Sequence, residues 1–136
     1  MNWRLIFLLS LFGVAMGLVT TYFIPTRVES FLWLPIFITS AWIISRHSEK
    51  RFFLSGFLLG IIDIAWNTAA HIYLYNIYAT RHTSDIVMMA KQAPAGTPIA
   101  DTVKLLMIAV GIIISIVSGI VLGSFSLVAA RVAAMK

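Results

Sequence analysis

The sequence contains no cysteine, and only 11% of its residues are charged. The absence of cysteine excludes disulfide scaffolds, thiol catalysts and metal sites built on thiolates. Soluble domains carry about 25% charged residues, so this chain has too little charge to cover its own surface in water. These shortages exclude a soluble enzyme and a nucleic-acid-binding domain, although the formal net charge is +5.

Apolar residues make up 60% of the 136 residues and fall into four long runs. A helix that crosses the hydrocarbon core of a membrane needs about 20 mainly apolar residues. The runs cover residues 5–24, 31–45, 52–78 and 103–130, and an outer loop of residues 79–102 precedes the last. The pattern predicts an all-α integral membrane four-helix bundle with up-down-up-down topology, in one transmembrane domain over residues 1–136.

The positions of lysine and arginine predict the orientation, because short basic loops stay in the cytoplasm. The basic residues on one side are Arg4, Arg46, Lys50, Arg51, Arg131 and Lys136. Those on the other side are Arg27, Arg81, Lys91 and Lys104. The larger count predicts that both termini are cytoplasmic in a multi-pass protein of the cell (inner) membrane. The lipid bilayer is then the expected partner, and no nucleic acid is needed to explain the basic charge.

Small residues recur at four-residue steps in three of the four runs. In lipid, helices associate by close backbone approach at such residues. The pairs are Gly13 with Gly17, Gly56 with Gly60, and Gly119 with Gly123, and Gly111 and Ser115 extend the last series. The spacing predicts helix packing, either within one chain or between protomers.

A polar face is predicted on the third run. At about 100° per residue, Asp63, Asn67 and His71 fall within an arc of about 80° that also contains Gly56 and Gly60. Leu74 falls in the same arc, which argues against a continuous polar path to the outer surface. The face is expected to point into the bundle or into an oligomer interface.

Asp63 is the only ionisable residue deep inside a predicted span, about 16 Å into a core about 30 Å thick. Thr39, Ser115 and the Gly13–Gly17 patch lie at similar depth, so they are the expected partners of its carboxyl group. No lysine or arginine can reach it, so the sequence predicts that Asp63 carries a proton at neutral pH. Its role remains open between a proton or ligand site and a hydrogen-bonded latch.

Catalytic signatures are absent from the sequence. There is no nucleophile motif, glycine-rich phosphate loop or HExxH, and the spacing of His71, His82 and Asp85 matches no standard metal motif. We therefore expect no enzyme activity, no catalytic residues, no metal site and no cofactor.

Two functions fit these patterns. In the favoured hypothesis the chain is an accessory or scaffold subunit whose small and polar third-span face docks a membrane protein partner. In the alternative it is a small homo-oligomeric transporter or channel, and Asp63 is the protonatable group at the membrane midplane. The predicted ligand or partner site is the same in both: Asp63, Asn67, His71, Thr39 and Ser115.

Overall fold

The computed structural model describes residues 1–48 and 50–135, which form helices and short connections without a strand among them. The helices are α1 (Trp3–Leu9), α2 (Leu11–Tyr22), α3 (Thr26–His47), α4 (Phe52–Tyr73), α5 (Tyr75–Arg81), α6 (Thr83–Ala90) and α7 (Ile99–Ala134). The prediction of an all-helical protein is confirmed.

Four helical segments are long and apolar enough to cross a membrane: Trp3–Tyr22, Thr26–His47, Phe52–Tyr73 and Ile99–Ala134. They match the four predicted runs in number and order, and they suggest a multi-pass membrane protein. The first segment consists of α1 and α2, which are separated at the buried residue Ser10.

The second span is longer than the sequence indicates, because α3 begins at Thr26 and not near residue 31. Pro25 has extended backbone angles and forms the N-cap, and Glu29 lies in the first turn of the helix. An acidic side chain is favourable in the first turn, where the helix dipole is positive. The charges of the 25–30 segment therefore lie within the helix, although they end the apolar run.

The third span is shorter than predicted, and the fourth is longer. Leu74, with φ −97° and ψ 28°, separates α4 from α5, so the span ends at Tyr73 and not at residue 78. The loop that follows contains α6, and α7 begins directly after the extended residue Pro98. The 36-residue α7 thus extends beyond the predicted limits of 103 and 130 at both ends.

Helix α4 packs against α7 through the small residues of both helices. Gly56 contacts Gly123, Gly60 contacts Gly119, and Gly111 contacts Thr68. Positions on α7 fall as positions on α4 rise, so the two helices are antiparallel. A methyl group at Gly60 would lie only 2.7 Å from the carbonyl oxygen of Ser118 and 2.8 Å from the Cα of Gly119.

Helix α2 packs against another side of α4, and the two run parallel. Gly13 contacts the backbone of Asp63, and a methyl group at Gly17 would lie 3.1 Å from the Cα of Asn67. The glycines expected to pack helices therefore contact neighbouring helices of the same chain. The larger of two buried apolar clusters lies toward the N-terminal end of α4, and it consists of Ile6, Leu9, Phe37, Ala41, Ile44, Leu59 and Leu122.

Candidate functional site

The carboxyl group of Asp63 is completely buried near the middle of α4. Neither of its oxygens has a hydrogen-bond partner among the described residues. The amide of Gly13 lies beside it but donates to the carbonyl oxygen of Ser10 at 3.1 Å. Almost all buried polar groups in proteins have partners, so a carboxyl without one marks a position that needs an explanation.

The prediction that the hydroxyl groups of Thr39 and Ser115 bond to Asp63 is wrong. Thr39 lies on the exposed side of α3, and its neighbour Ser40 is the buried residue. Ser115 is buried, but its hydroxyl donates to the carbonyl oxygen of Ile112 at 2.7 Å. Depth along a helix follows from sequence position, but the rotation of the helix does not. Serine and threonine also tend to bond the preceding turn of their own helix.

Asn67 lies one turn beyond Asp63 and forms a hydrogen bond with a second carboxyl group, that of Glu29. Its Nδ2 donates to Oε1 of Glu29 at 2.8 Å, and Nε1 of Trp33 donates to the same oxygen at 3.3 Å. Asn67 is only 7% exposed, and its Oδ1 has no partner among the described side chains. Glu29 lies outside the predicted run of residues 31–45, yet its four-residue spacing from Trp33 is the signal that puts both on one helix face.

His71 bonds across to α2, because its Nε2 lies 2.7 Å from Oγ1 of Thr20. The Thr20 hydroxyl donates its own proton to the carbonyl oxygen of Met16 at 2.8 Å. The imidazole is therefore the donor, through a protonated Nε2. The structure thus brings His71 and Asn67 onto the same side of α4 as Asp63, as the sequence predicts.

A second histidine, His82, is buried beside the first. Its Nε2 lies 2.9 Å from the carbonyl oxygen of Thr20, and its Nδ1 lies 3.0 Å from Oγ1 of Thr26. The Thr26 hydroxyl donates its one proton to Oδ2 of Asp85 at 2.6 Å. The Thr26 hydroxyl therefore links a buried imidazole to a carboxylate that is 27% exposed.

Tyr78 lies between the two imidazoles. Its ring centroid is 4.4 Å from that of His71 and 4.2 Å from that of His82. Tyr78 lies beyond the last residue of the third span, and burial raises the pKa of its hydroxyl above the usual value, so it stays protonated at neutral pH. Because Tyr78 packs against His71 and stacks on His82, the polar residues continue past Leu74, where the sequence predicts an interruption. We call Thr20, Thr26, His71, Tyr78, His82 and Asp85 the end cluster.

The end cluster has no recognisable metal-binding geometry. His82 and Asp85 approach within 3.8 Å. Across the part of the chain that the structure describes, no three histidine, aspartate or glutamate side chains are grouped so that they could hold a metal ion.

A groove of about 460 Å³ opens beside the Glu29–Asn67 pair. Side chains of the five helices α3 to α7 line it, among them Trp33, Phe37, Met88 and Met107. The rings of Trp33 and Phe37 are 5.5 Å apart. We refer to this feature as the Glu29 groove.

Four membrane-length helices, a buried carboxyl group and a series of titratable side chains suggest a multi-pass membrane protein with a polar interior. Comparisons of the chain with protein-family models, with curated proteins and with solved structures found no match. The geometry of the site is therefore the basis for assigning a role.

Proposed function

We propose that this chain is a small proton-translocating membrane protein, a transporter or channel in which Asp63 accepts protons that enter through the end cluster. One observation carries the proposal. A buried carboxyl group without a partner lies at the inner end of a series of polar side chains, and a partly exposed carboxylate, Asp85, lies at the outer end. Intramembrane ionisable residues are expensive, and they often mark proton or ion pathways.

The series is built from groups that exchange protons. Asp85 contacts His82 through Thr26, and Tyr78 connects the ring of His82 to that of His71. A neutral imidazole donates a proton from one ring nitrogen and accepts one at the other, and a tyrosine hydroxyl also donates and accepts. Because packed rings do not pass protons through their faces, the step between the two imidazoles would be carried by a water molecule held among the polar atoms of Thr20, Tyr78 and the histidines.

The inner part of the series follows α4. Residues four apart on a helix lie about 5–6 Å from one another, so one turn separates His71 from Asn67 and another separates Asn67 from Asp63. An amide does not titrate, but Asn67 holds the carboxyl group of Glu29 at this level. Glu29 therefore supplies the titratable group between His71 and Asp63.

The proposed topology is up-down-up-down, with both termini on the cytoplasmic side of the inner membrane. Its support is the parallel packing of α2 with α4, the antiparallel packing of α4 with α7, and the basic residues at the two chain ends and the 46–51 turn. In this orientation the end cluster faces away from the cytoplasm. Because the chain has no cysteine, single variants such as Gln92→Cys and Lys50→Cys can be labelled with impermeant reagents from each side. Labelling of Lys50→Cys from outside would show that the orientation is the opposite of the proposed one.

Proton flux into liposomes tests the proposal. The purified chain is reconstituted, a potassium diffusion potential is imposed, and internal pH is followed with a trapped dye. We expect Asp63→Asn to lower flux at least tenfold, because the amide cannot carry a proton. Asp101→Asn is the matched control, since Asp101 is exposed in the first turn of α7. Equal flux in Asp63→Asn and the wild type, or no wild-type flux above that of empty liposomes, would refute the proposal.

The accessory-subunit hypothesis stays a prediction, as do the homo-oligomer and the membrane protein partner. The small and polar face of α4, which that hypothesis assigned to a partner helix, contacts α2 and α7 within the chain. A partner protein would therefore have to dock on a surface other than this face of α4. Native mass spectrometry of the chain extracted from its host in mild detergent distinguishes the cases, because a stoichiometric foreign protein would identify a subunit.

A further inference from the structure

The Glu29 groove has the dimensions of a ligand site. Its volume of about 460 Å³ falls within the range of about 300–1,000 Å³ that is typical of small-molecule pockets. Such pockets are mainly apolar and have a few polar groups that fix the orientation of the ligand. The groove has this composition, because aromatic and methionine side chains surround the Glu29–Asn67 pair.

The polar groups of the groove favour a positively charged ligand. Both hydrogen bonds found at the carboxyl group of Glu29 end at Oε1, and Asn67 supplies one of them. Oδ1 of Asn67, a group more than nine-tenths buried, is an acceptor without a donor among the described residues. Asp85 also lines the groove, whereas no described lysine or arginine does. The site therefore offers acceptors and negative charge to whatever enters it.

The apolar groups of the groove favour a ligand with a hydrophobic body. Trp33 and Phe37 present adjacent rings, and an aromatic face attracts a cation within about 6 Å. Met88, Met89 and Met107 also line the groove. Methionine side chains are flexible and adapt to apolar ligands of different shapes.

We propose that the Glu29 groove binds an organic ammonium compound with an aromatic or aliphatic body. The ammonium N–H groups donate to the Glu29 carboxylate, and the body packs against Trp33, Phe37 and the methionines. The groove shares six residues with the proposed proton path: Thr26, Glu29, Asn67, His71, Tyr78 and Asp85. Exchange of the ammonium compound for protons would rest on the proposed function, whereas binding does not.

Binding of dansylcadaverine, a primary ammonium with a naphthalene body, tests the inference. Fluorescence anisotropy is measured with the chain in lipid nanodiscs, and empty nanodiscs give the background. We expect Glu29→Gln to weaken binding at least tenfold, and Asp101→Asn, which removes a carboxylate outside the groove, to bind as the wild type does. Equal affinity of Glu29→Gln and the wild type would overturn the site.

The N-acetylated probe keeps the measurement decisive if Glu29→Gln does not fold. Acetylation removes the positive charge and leaves the hydrophobic body unchanged, so the wild type should bind this probe at least tenfold more weakly. Equal affinity for the two probes would show hydrophobic partition only and would overturn the ammonium site.

Asp63→Asn separates this inference from the proposed function. Asp63 does not line the groove, so this variant should bind dansylcadaverine with wild-type affinity. Intact binding by a wild-type chain that conducts no protons would refute the proton path and leave the ammonium site standing. Proton flux in a chain that binds no ammonium probe would refute the ammonium site and leave the proton path standing.

Discussion

The small and polar face of α4 has two adjoining sides, which differ in what they contribute to the protein. The side that faces α7 consists of small residues in close backbone contact, as at Gly60 and Gly119. The side that faces α2 and α3 contains Asp63, Asn67 and His71. Close packing stabilises helix pairs in lipid, where little hydrophobic force acts between helices. In the proposed function, the α7 side supplies stability and the polar side carries the protons.

The polar side has an energetic cost that fits this division. Three of its buried atoms, the two carboxyl oxygens of Asp63 and Oδ1 of Asn67, have no partner among the described residues. A buried polar group left without a hydrogen bond costs about 1–3 kcal/mol. A carboxyl group that only latched the helices together would form hydrogen bonds with them. The lack of hydrogen-bond partners therefore favours a functional role for Asp63.

Gly60→Leu should produce the largest effect, because it acts on the stabilising side. Even a methyl group would meet the backbone of Ser118 and Gly119, so the leucine must force α4 and α7 apart. We expect a loss of about 3 kcal/mol or more and little folded protein. Yield and thermal unfolding in detergent measure the effect, and Ala109→Leu on the exposed side of α7 is the matched control. Wild-type stability of Gly60→Leu would break the comparison.

Asp63→Leu should have the opposite effect on stability. It removes a buried carboxyl group that lacks partners, so the free energy of unfolding should rise by about 1–3 kcal/mol while proton flux is lost. Unfolding by titration with sodium dodecyl sulfate measures the first quantity, and liposome flux measures the second. A destabilised Asp63→Leu would identify the acid as a structural latch.

Thr20→Val should produce a smaller loss, because it removes one hydrogen bond from the polar side. Hydrogen bonds between helices in membranes contribute about 0.6 kcal/mol on average, and the variant also leaves Nε2 of His71 without its acceptor. We expect the free energy of unfolding to fall by about 1 kcal/mol. Thr39→Val, at an exposed position, should change it little. Equal effects of the two substitutions would contradict the His71 contact.

Tyr78→Phe should produce the smallest effect on stability, and that effect should appear only in alkali. Burial raises the pKa of Tyr78 in the folded state, so the folded form releases its proton at higher pH than the unfolded form. Stability should therefore fall as the pH rises above about 10, the value for an unfolded chain. The phenylalanine variant should lose less stability over that range in a pH series of unfolding curves. An identical decline in both proteins would refute the assignment.

The sequence was sufficient to predict the four membrane-length helices, because long apolar runs have few alternatives. It also placed Asp63, Asn67 and His71 on one face, since helical periodicity fixes their relative directions. It could not assign Thr39 or Glu29 correctly. Charge near a run boundary conceals how far a helix extends, and no local pattern fixes the rotation of α3 against α4. Those properties depend on packing between distant segments.

The central claim is that protons reach Asp63 through the end cluster. Hydrogen–deuterium exchange of the Asp63 carboxyl proton tests it directly, followed by the infrared band that Asp63→Asn removes. We predict that His71→Phe, which keeps an aromatic ring but removes both nitrogens, slows this exchange at least tenfold. Exchange at the same rate in His71→Phe and the wild type would show that protons reach Asp63 by another path and would contradict the account.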